Sequence, residues 1–383
     1  NHGPRRTFVP SLSTTWHQCT RNSTGSASGS PLIRKGTPAE GPTGHDGPMT
    51  RTGPLDITLD ELRACQEVVY RRVPPTPQYV WPLLGDEVGA TVWVKHENHT
   101  PTGAFKVRGG LVYVDRLRRD RPEVRGLVSA TRGNHGQSIA VAGIAAGLPV
   151  VIVVPHGNSP DKNAAMRAWG AELVEYGHDF QAAREHAQQV AAERGLEMVP
   201  SFHRDLVCGV ASYALELFEA VAAAGRHLDT VYVPVGLGSG ISGLIVARDL
   251  LGVDTEIVGV VAARANATAL SFAAGHAVST ESADTFIDGV ACRVPDPLAI
   301  EVICAGAARI VEVSEDDGAD AIRRLLRTTH NLAEPAGAVA TAGLWRERDR
   351  LQGREVATVL CGGNLDGDLL ADVLAGRTPA LRD

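Results

Sequence analysis

Gly126-Leu-Val-Ser-Ala130-Thr-Arg-Gly-Asn134-His-Gly-Gln-Ser-Ile-Ala-Val-Ala-Gly-Ile-Ala-Ala146 is the stretch on which the fold turns. Its first five residues are a short apolar run of strand length, and from Asn134 the apolar residues recur at helical spacing. Thr131, Arg132 and Gly133 leave only a tight loop at the carboxyl end of that strand. The order recurs further on: strand Val150 to Pro155 into helix Asp161 to Trp169, then strand Ala171 to Tyr176 into helix Phe180 to Arg194. A helix near Cys208 to Ala224 precedes strand Thr230 to Val235, helix Gly240 to Leu251 and strand Glu256 to Val261. Helices at Asp317 to Thr329 and Ala336 to Arg348 lead into strand Glu355 to Cys361. Upstream, Thr58-x-x-Glu61 has the form of a capping box opening a helix to Tyr70, and strand Thr91 to Glu97 precedes helix Lys106 to Arg119. Repeated βα units imply parallel strands, with ligands at their carboxyl ends. The expected class is α/β, with parallel-rich sheets flanked by helices.

A chain of 383 residues exceeds what one core usually serves. We expect a large domain from 49–120 and 204–383, a small inserted α/β domain at 121–203, and a disordered tail at 1–48. That tail is rich in Ser, Thr, Gly and Pro and carries no acid before Glu40. Its arginines loosely fit a transit peptide, without an amphipathic helix; Met49, where the composition changes, is the preferred start.

Composition removes several classes of function. Apolar residues make up 44% and charged residues 21%, as in a soluble enzyme, and the 41 glycines imply tight turns and close backbone approaches. A net charge of -7 without a long basic run leaves no footprint for nucleic acid. No apolar run approaches a membrane span. Six scattered cysteines with no CxxC pair suggest reduced thiols in a cytoplasm rather than zinc or disulfides.

Four segments carry chemistry. In Glu97-Asn-His-Thr-Pro-Thr-Gly-Ala-Phe-Lys106-Val-Arg-Gly109 a lysine sits among Pro, Gly and Phe, where a sheltered amine loses its proton easily. A plain helix-start lysine fits those residues equally well. Thr131 to Gln137 opens a helix, so its exposed N–H groups suit an anion such as a substrate carboxylate; an Asn/Gly turn with His135 as an ordinary loop residue is the rival. Gly236-Leu237-Gly238-Ser239-Gly240 reads as a phosphate cradle. Gly238-x-Gly240-x-x-Gly243 also fits a dinucleotide fingerprint, which makes NADP the competing ligand, although Val260 to Leu270 holds no acid for a ribose. Cys361, ending the last strand, either faces a bound heterocycle or packs as a small hydrophobe.

Together, from about Thr58 to Gly376, these segments resemble the PLP-dependent threonine/serine dehydratases, relatives of the tryptophan synthase β-subunit and so fold type II PLP enzymes. Pro101-Thr-Gly-Ala-Phe-Lys106-Val-Arg-Gly is similar to that family's PTGSFKxRG motif, with Ala104 for Ser, and Gly133-Asn134-His135-Gly136-Gln137 to its GNHGQ loop. The resemblance implies pyridoxal 5'-phosphate as cofactor and Lys106 as both its Schiff-base lysine and the catalytic base. It implies Asn134 at the ring hydroxyl, Gly236, Leu237, Gly238, Ser239 and Gly240 around the phosphate, and Cys361 at the ring nitrogen. Thr131, Arg132, Gly133, Asn134 and His135 would surround the substrate carboxylate. A thiol does not hold the nitrogen protonated, which suits β-elimination of a small β-hydroxy amino acid, L-threonine or L-serine, to a 2-oxo acid plus ammonia. The cofactor phosphate would protonate the departing hydroxide. Arg132 stands where racemases of the family carry a serine base, which disfavours racemisation, and no metal is expected after Val261. Cysteine synthase-like β-replacement, racemase chemistry, and an NADP oxidoreductase or a catalytically silent ligand-binding relative are the alternatives. The resemblance also implies a cytoplasmic homodimer or homotetramer.

Overall fold

The computed structural model describes residues 53–380; the tail expected at 1–48 lies outside them. Ten strands form two sheets. The larger contains β1 (Gln78–Val80), β2 (Thr91–His96), β7 (Thr230–Pro234), β8 (Glu256–Ala262), β9 (Arg309–Val313) and β10 (Glu355–Leu360), in the order β1-β2-β10-β7-β8-β9. The smaller contains β3 (Leu127–Ala130), β4 (Val150–Val154), β5 (Glu172–Glu175) and β6 (Glu197–Met198), in the order β5-β4-β3-β6. All pairings are parallel except β1 with β2. The smaller sheet thus comes wholly from 127–198, and the larger from both sides of that segment.

The helices are α1 (Leu59–Tyr70), α2 (Pro82–Val88), α3 (Lys106–Asp120), α4 (Asn134–Ala145), α5 (Pro160–Ala168), α6 (Phe180–Arg194) and α7 (Arg204–Ala223). Then come α8 (Ser239–Leu251), α9 (Ala267–Ala274), α10 (Pro297–Gly306), α11 (Glu315–Thr329), α12 (Pro335–Arg346) and α13 (Gly367–Leu374). Helix α4 packs on the smaller sheet and on α3, α3 packs on α7, and α7 packs on α8, which lies on the larger sheet. One hydrophobic core therefore runs through both sheets. Only the side of the smaller sheet under α6 has its own cluster, built on Val128, Val151, Val153 and Val190.

Two expectations change. Thr58 caps α1 by accepting from the Glu61 N–H at 3.2 Å, but the Glu61 carboxylate pairs with Arg204 and Arg116, so half of the expected capping box is diverted to hold α1 onto α7 and α3. Helix α7, with a mean hydropathy of 1.6, is long and apolar enough to cross a membrane, contrary to the reading that no run approaches that length. Its Ala, Gly and Ser residues hid that from a count of large apolar side chains. Here 78% of that window is buried, and α1, α3 and α8 supply the packing.

The join between β2, α3 and α7 is ionic. Arg108, 0% exposed, donates to Glu97 at 2.8 and 3.0 Å and to Glu216 at 2.6 and 3.1 Å, while Lys95 pairs with the same Glu216 at 2.5 Å. Thr76 adds its hydroxyl to Glu97. Two cations face two carboxylates, so the desolvated charges cancel. Removing one partner strands another charge, which costs about 3–5 kcal/mol. Arg108→Met should lower unfolding stability by that amount in urea denaturation; a loss of unfolding free energy below about 0.5 kcal/mol would show that the network contributes nothing net.

Candidate active site

The chain has four lysines, three of them among the described residues. Lys95 is paired with Glu216, and Lys162 on α5 is paired with Asp288 at 2.7 Å and lies 3.4 Å from Glu334. Lys106 has no carboxylate partner among the described residues. The loop from Glu97 to Phe105 delivers it to the first turn of α3: the Phe105 N–H donates to the Cys361 carbonyl at 3.0 Å, and Ala104 bridges to Gly362. Its stem keeps some exposure, but its amine is enclosed, 5.0 Å from the Phe105 ring centroid and donating to the Ser239 hydroxyl at 3.1 Å. Burial pushes the Lys106 amine down to about 8.

Ser239 opens α8 just after β7. Among the described residues, nothing accepts from the N–H groups of Gly236 to Gly240, so five successive donors stand unpaired beside the Lys106 amine. The turn requires its glycines: Gly238 sits at φ 101°, and a Cβ on Gly236 would lie 2.8 Å from the Gly289 carbonyl. The row suits a phosphate.

Across the cleft, α4 begins at Asn134. The Thr131 N–H is spent on Val153 in the sheet, and the Gly133 N–H donates to the Thr131 hydroxyl at 3.0 Å. The N–H groups of Arg132, Asn134 and His135 have no acceptor among the described residues, so the loop offers a carboxylate three of the five expected donors. Burial, and then the nearby Lys106 charge, pushes His135 down to about 3; it is neutral at pH 7, and its Nε2 is buried without a partner. The Asn134 amide donates to Glu334 and accepts from Asn364 at 2.8 Å, leaving its second N–H free. Burial holds the Cys361 thiol well above its usual range, so it is neutral, donating to the Ala336 carbonyl at 3.5 Å.

The structure thus gathers Lys106, Ser239, Asn134, His135 and Cys361 in one place. Arg132 sits apart and exposed, on a cleft of about 370 Å³ that runs down to Lys162, Asp288 and Asn364. Sequence reasoning missed Glu334, Lys162 and Asp288, a fully buried carboxylate, a nearly buried lysine and its partner. Glu334 had one visible signal, an acid between Ala333 and Pro335 at the head of an apolar helix. Burial pushes its carboxyl up, against the pull of Lys162.

Residues 69–362 match the family described as pyridoxal-phosphate dependent enzyme. The chain belongs to the pyridoxal-phosphate-dependent enzymes. Within that family it is similar to the L-threonine ammonia-lyase of Thermotoga maritima, 31% identical over 319 residues, which are 83% of this chain and 78% of that protein. It is also similar to the L-threo-3-hydroxyaspartate ammonia-lyase of Saccharomyces cerevisiae, 29% identical over 320 residues, 83% and 95% of the two chains. The structure of the processed form of threonine deaminase isoform 2 from Solanum lycopersicum superposes with a TM-score of 0.76 at 27% identity, covering 87% of this chain and 98% of that one.

The residues present fit the family's cofactor. A buried amine without a carboxylate partner among the described residues suits an aldehyde, five free N–H groups suit a phosphate, and the spare N–H of Asn134 suits a ring hydroxyl. NADP, the competing ligand of the glycine turn, is thereby displaced: pyridoxal phosphate is the cofactor of a chain of this family.

An amine with its pKa near 8 is about one-tenth free at pH 7, against about 1 in 3000 for an ordinary lysine. Capture of pyridoxal phosphate by cofactor-free protein, followed by its yellow absorbance, should fall about tenfold per pH unit below pH ~8 and level off above it. A rate still climbing toward pH ~10.5 would contradict the sheltered amine.

Proposed function

We propose that this chain is an ammonia-lyase that removes water and ammonia from a small β-hydroxy amino acid, L-threonine or L-serine, leaving a 2-oxo acid. The observation that carries this is the solitary amine of Lys106, desolvated and without an acid, at the head of the free N–H row of Gly236 to Gly240. Bound pyridoxal phosphate supplies a carbonyl carbon for amines and a ring that takes up the electron pair left when the α-proton departs.

The chain's own residues then have distinct tasks. The N–H groups of Gly236, Leu237, Gly238, Ser239 and Gly240 hold the phosphate at the start of α8. Asn134 holds the ring hydroxyl through its spare N–H, its amide plane fixed by Glu334 on one side and Asn364 on the other. Cys361, being neutral, would give the ring nitrogen of bound pyridoxal phosphate no negative partner, which would keep the ring a moderate sink and favour elimination over transamination. The N–H groups of Arg132, Asn134 and His135 receive the substrate carboxylate. The Lys106 amine would take the Cα proton and hold it close to the Ser239 hydroxyl. Lys162, reaching from 121–203 to Asp288 and Glu334, closes the small domain over this cleft and keeps water out. We read the enzyme as a cytoplasmic homodimer or homotetramer, with the exposed Tyr79, Val80 and Leu83 of β1 and α2 as its apolar contact surface.

One observation favours a second substrate. Arg132 is exposed on the cleft, without a carboxylate partner among the described residues, and His156 and His178 line the same space. A guanidinium so placed suits a substrate with a carboxylate on Cβ, the chemistry named for the yeast relative.

Assays of 2-oxo acid from L-threonine, L-serine and L-threo-3-hydroxyaspartate separate the two. Turnover of at least one, abolished by Lys106→Ala, is expected; no 2-oxo acid from any of them, with turnover on adding a sulfide nucleophile, would overturn the elimination in favour of β-replacement. Arg132→Ala should raise KM about tenfold or more for the dicarboxylate and leave L-threonine within a factor of about three; equal losses for both would sink the second reading.

A further inference from the structure

We propose that Cys65 and Cys208 form a peroxide-reactive dithiol, a modification site separate from the catalytic cleft, whose oxidation ties α1 to α7. Cys65 projects from the middle of α1 and Cys208 from the first turn and a half of α7, 143 residues apart in sequence, with sulfurs 2.7 Å apart. Closing a disulfide of about 2.05 Å requires the two sulfurs to approach by roughly 0.7 Å.

The surroundings make one sulfur the nucleophile and the other its resolving partner. The hydrogen bond that the two thiols share holds Cys65 below its usual range; burial opposes that, and Arg116, its Nη2 3.2 Å from the Cys65 sulfur, reinforces it. Cys208 moves the other way, its proton retained by the same shared bond and by burial. Arg116 is held in place by Glu61 of α1 at 2.6 Å and by Asp205 of α7, so the guanidinium cannot swing away from the sulfurs. Entry is provided. A second cleft, of about 450 Å³, opens between α1 and α3 and is lined by Cys65 with Glu61, Arg71, Asp115 and Arg116. It admits a small neutral oxidant to a thiol that is otherwise buried.

The chemistry balances with hydrogen peroxide as oxidant. The Cys65 thiolate attacks one peroxide oxygen, the O–O bond breaks, and a sulfenic acid and a hydroxide result; the hydroxide takes the proton that Cys65 gave up and becomes the first water. The Cys208 sulfur then attacks the Cys65 sulfur, the S–O bond breaks, and the hydroxide leaves as a second water with the Cys208 proton. Two thiols and one peroxide give one disulfide and two waters. The other three described cysteines lack this arrangement: Cys292 and Cys361 are buried without a second thiol, and Cys304 is partly exposed and alone.

Because α7 packs on α3, the helix that opens at Lys106, the crosslink stiffens the support of the catalytic lysine without entering its cleft. A covalent loop closing 143 residues also constrains the unfolded chain.

The test treats the holoenzyme with hydrogen peroxide, blocks remaining thiols with iodoacetamide and maps the peptides under non-reducing conditions. The expected result is a peptide joining Cys65 to Cys208 with the loss of two hydrogen masses, a higher thermal midpoint, and reversal of both by dithiothreitol. Cys65→Ser and, independently, Cys208→Ala should each abolish the crosslink and the thermal shift while leaving 2-oxo acid production unchanged before oxidation. Cys304→Ser should retain them. Full alkylation of both thiols after peroxide, or oxidation confined to Cys304, would overturn the proposal.

Discussion

The buried guanidinium of Arg108 is the constraint on which the rest of the structure depends. It spans Glu97 at the end of β2 and Glu216 in the middle of α7, and it stands two residues after Lys106 on α3. The loop that brings Lys106 to the cleft therefore has both ends fixed, one by Glu97 and the other by Arg108, with Phe105 and Ala104 stitched to Cys361 and Gly362 between them. Lys95 supplies the second positive charge, so that neither carboxylate faces an apolar core alone. Ion pairs of this kind add little net stability over apolar packing, but they punish any arrangement that separates their members. Here they specify where one loop lies.

The same principle, applied in reverse, singles out the reactive lysine. Lys95 and Lys162 are both buried against carboxylates; burial draws Lys95 below its usual range against the pull of Glu97 and Glu216, whereas Asp288 and Glu334 drive Lys162 above its own once burial is overcome. Lys106 is enclosed without that compensation and yields its proton near pH 8. Three lysines in similar burial thus take different chemistry from their partners. Cys361 and His135 show the neutral side of this design: both are buried beside Lys106 and both stay uncharged.

Much of the fold was legible because βα repetition is local. Strand and helix alternate over ten or so residues, and the segments at Lys106, Asn134, Gly236 and Cys361 each fall at a strand's carboxyl end. Elements without a periodic signature escaped: β6 has two residues, β1 three, and the apolar residues of α10 give no amphipathic stripe. Glu61 looked like a cap partner for Thr58 because the sequence could not reveal Arg204 arriving 143 residues later. Glu334, Lys162 and Asp288 were invisible for the same reason, since each is ordinary until the other two are placed beside it. The thiol pair of Cys65 and Cys208 likewise exists only in three dimensions.

The central claim is that Lys106, and no other lysine, binds the cofactor, and the most direct measurement is borohydride reduction of the holoenzyme followed by peptide mass mapping. With four lysines in the chain the assignment is unambiguous. A stoichiometric phosphopyridoxyl mass is expected on the peptide carrying Lys106, with Lys95 and Lys162 unlabelled. A label on Lys162 or Lys95, or a reduced holoenzyme carrying none, would contradict it.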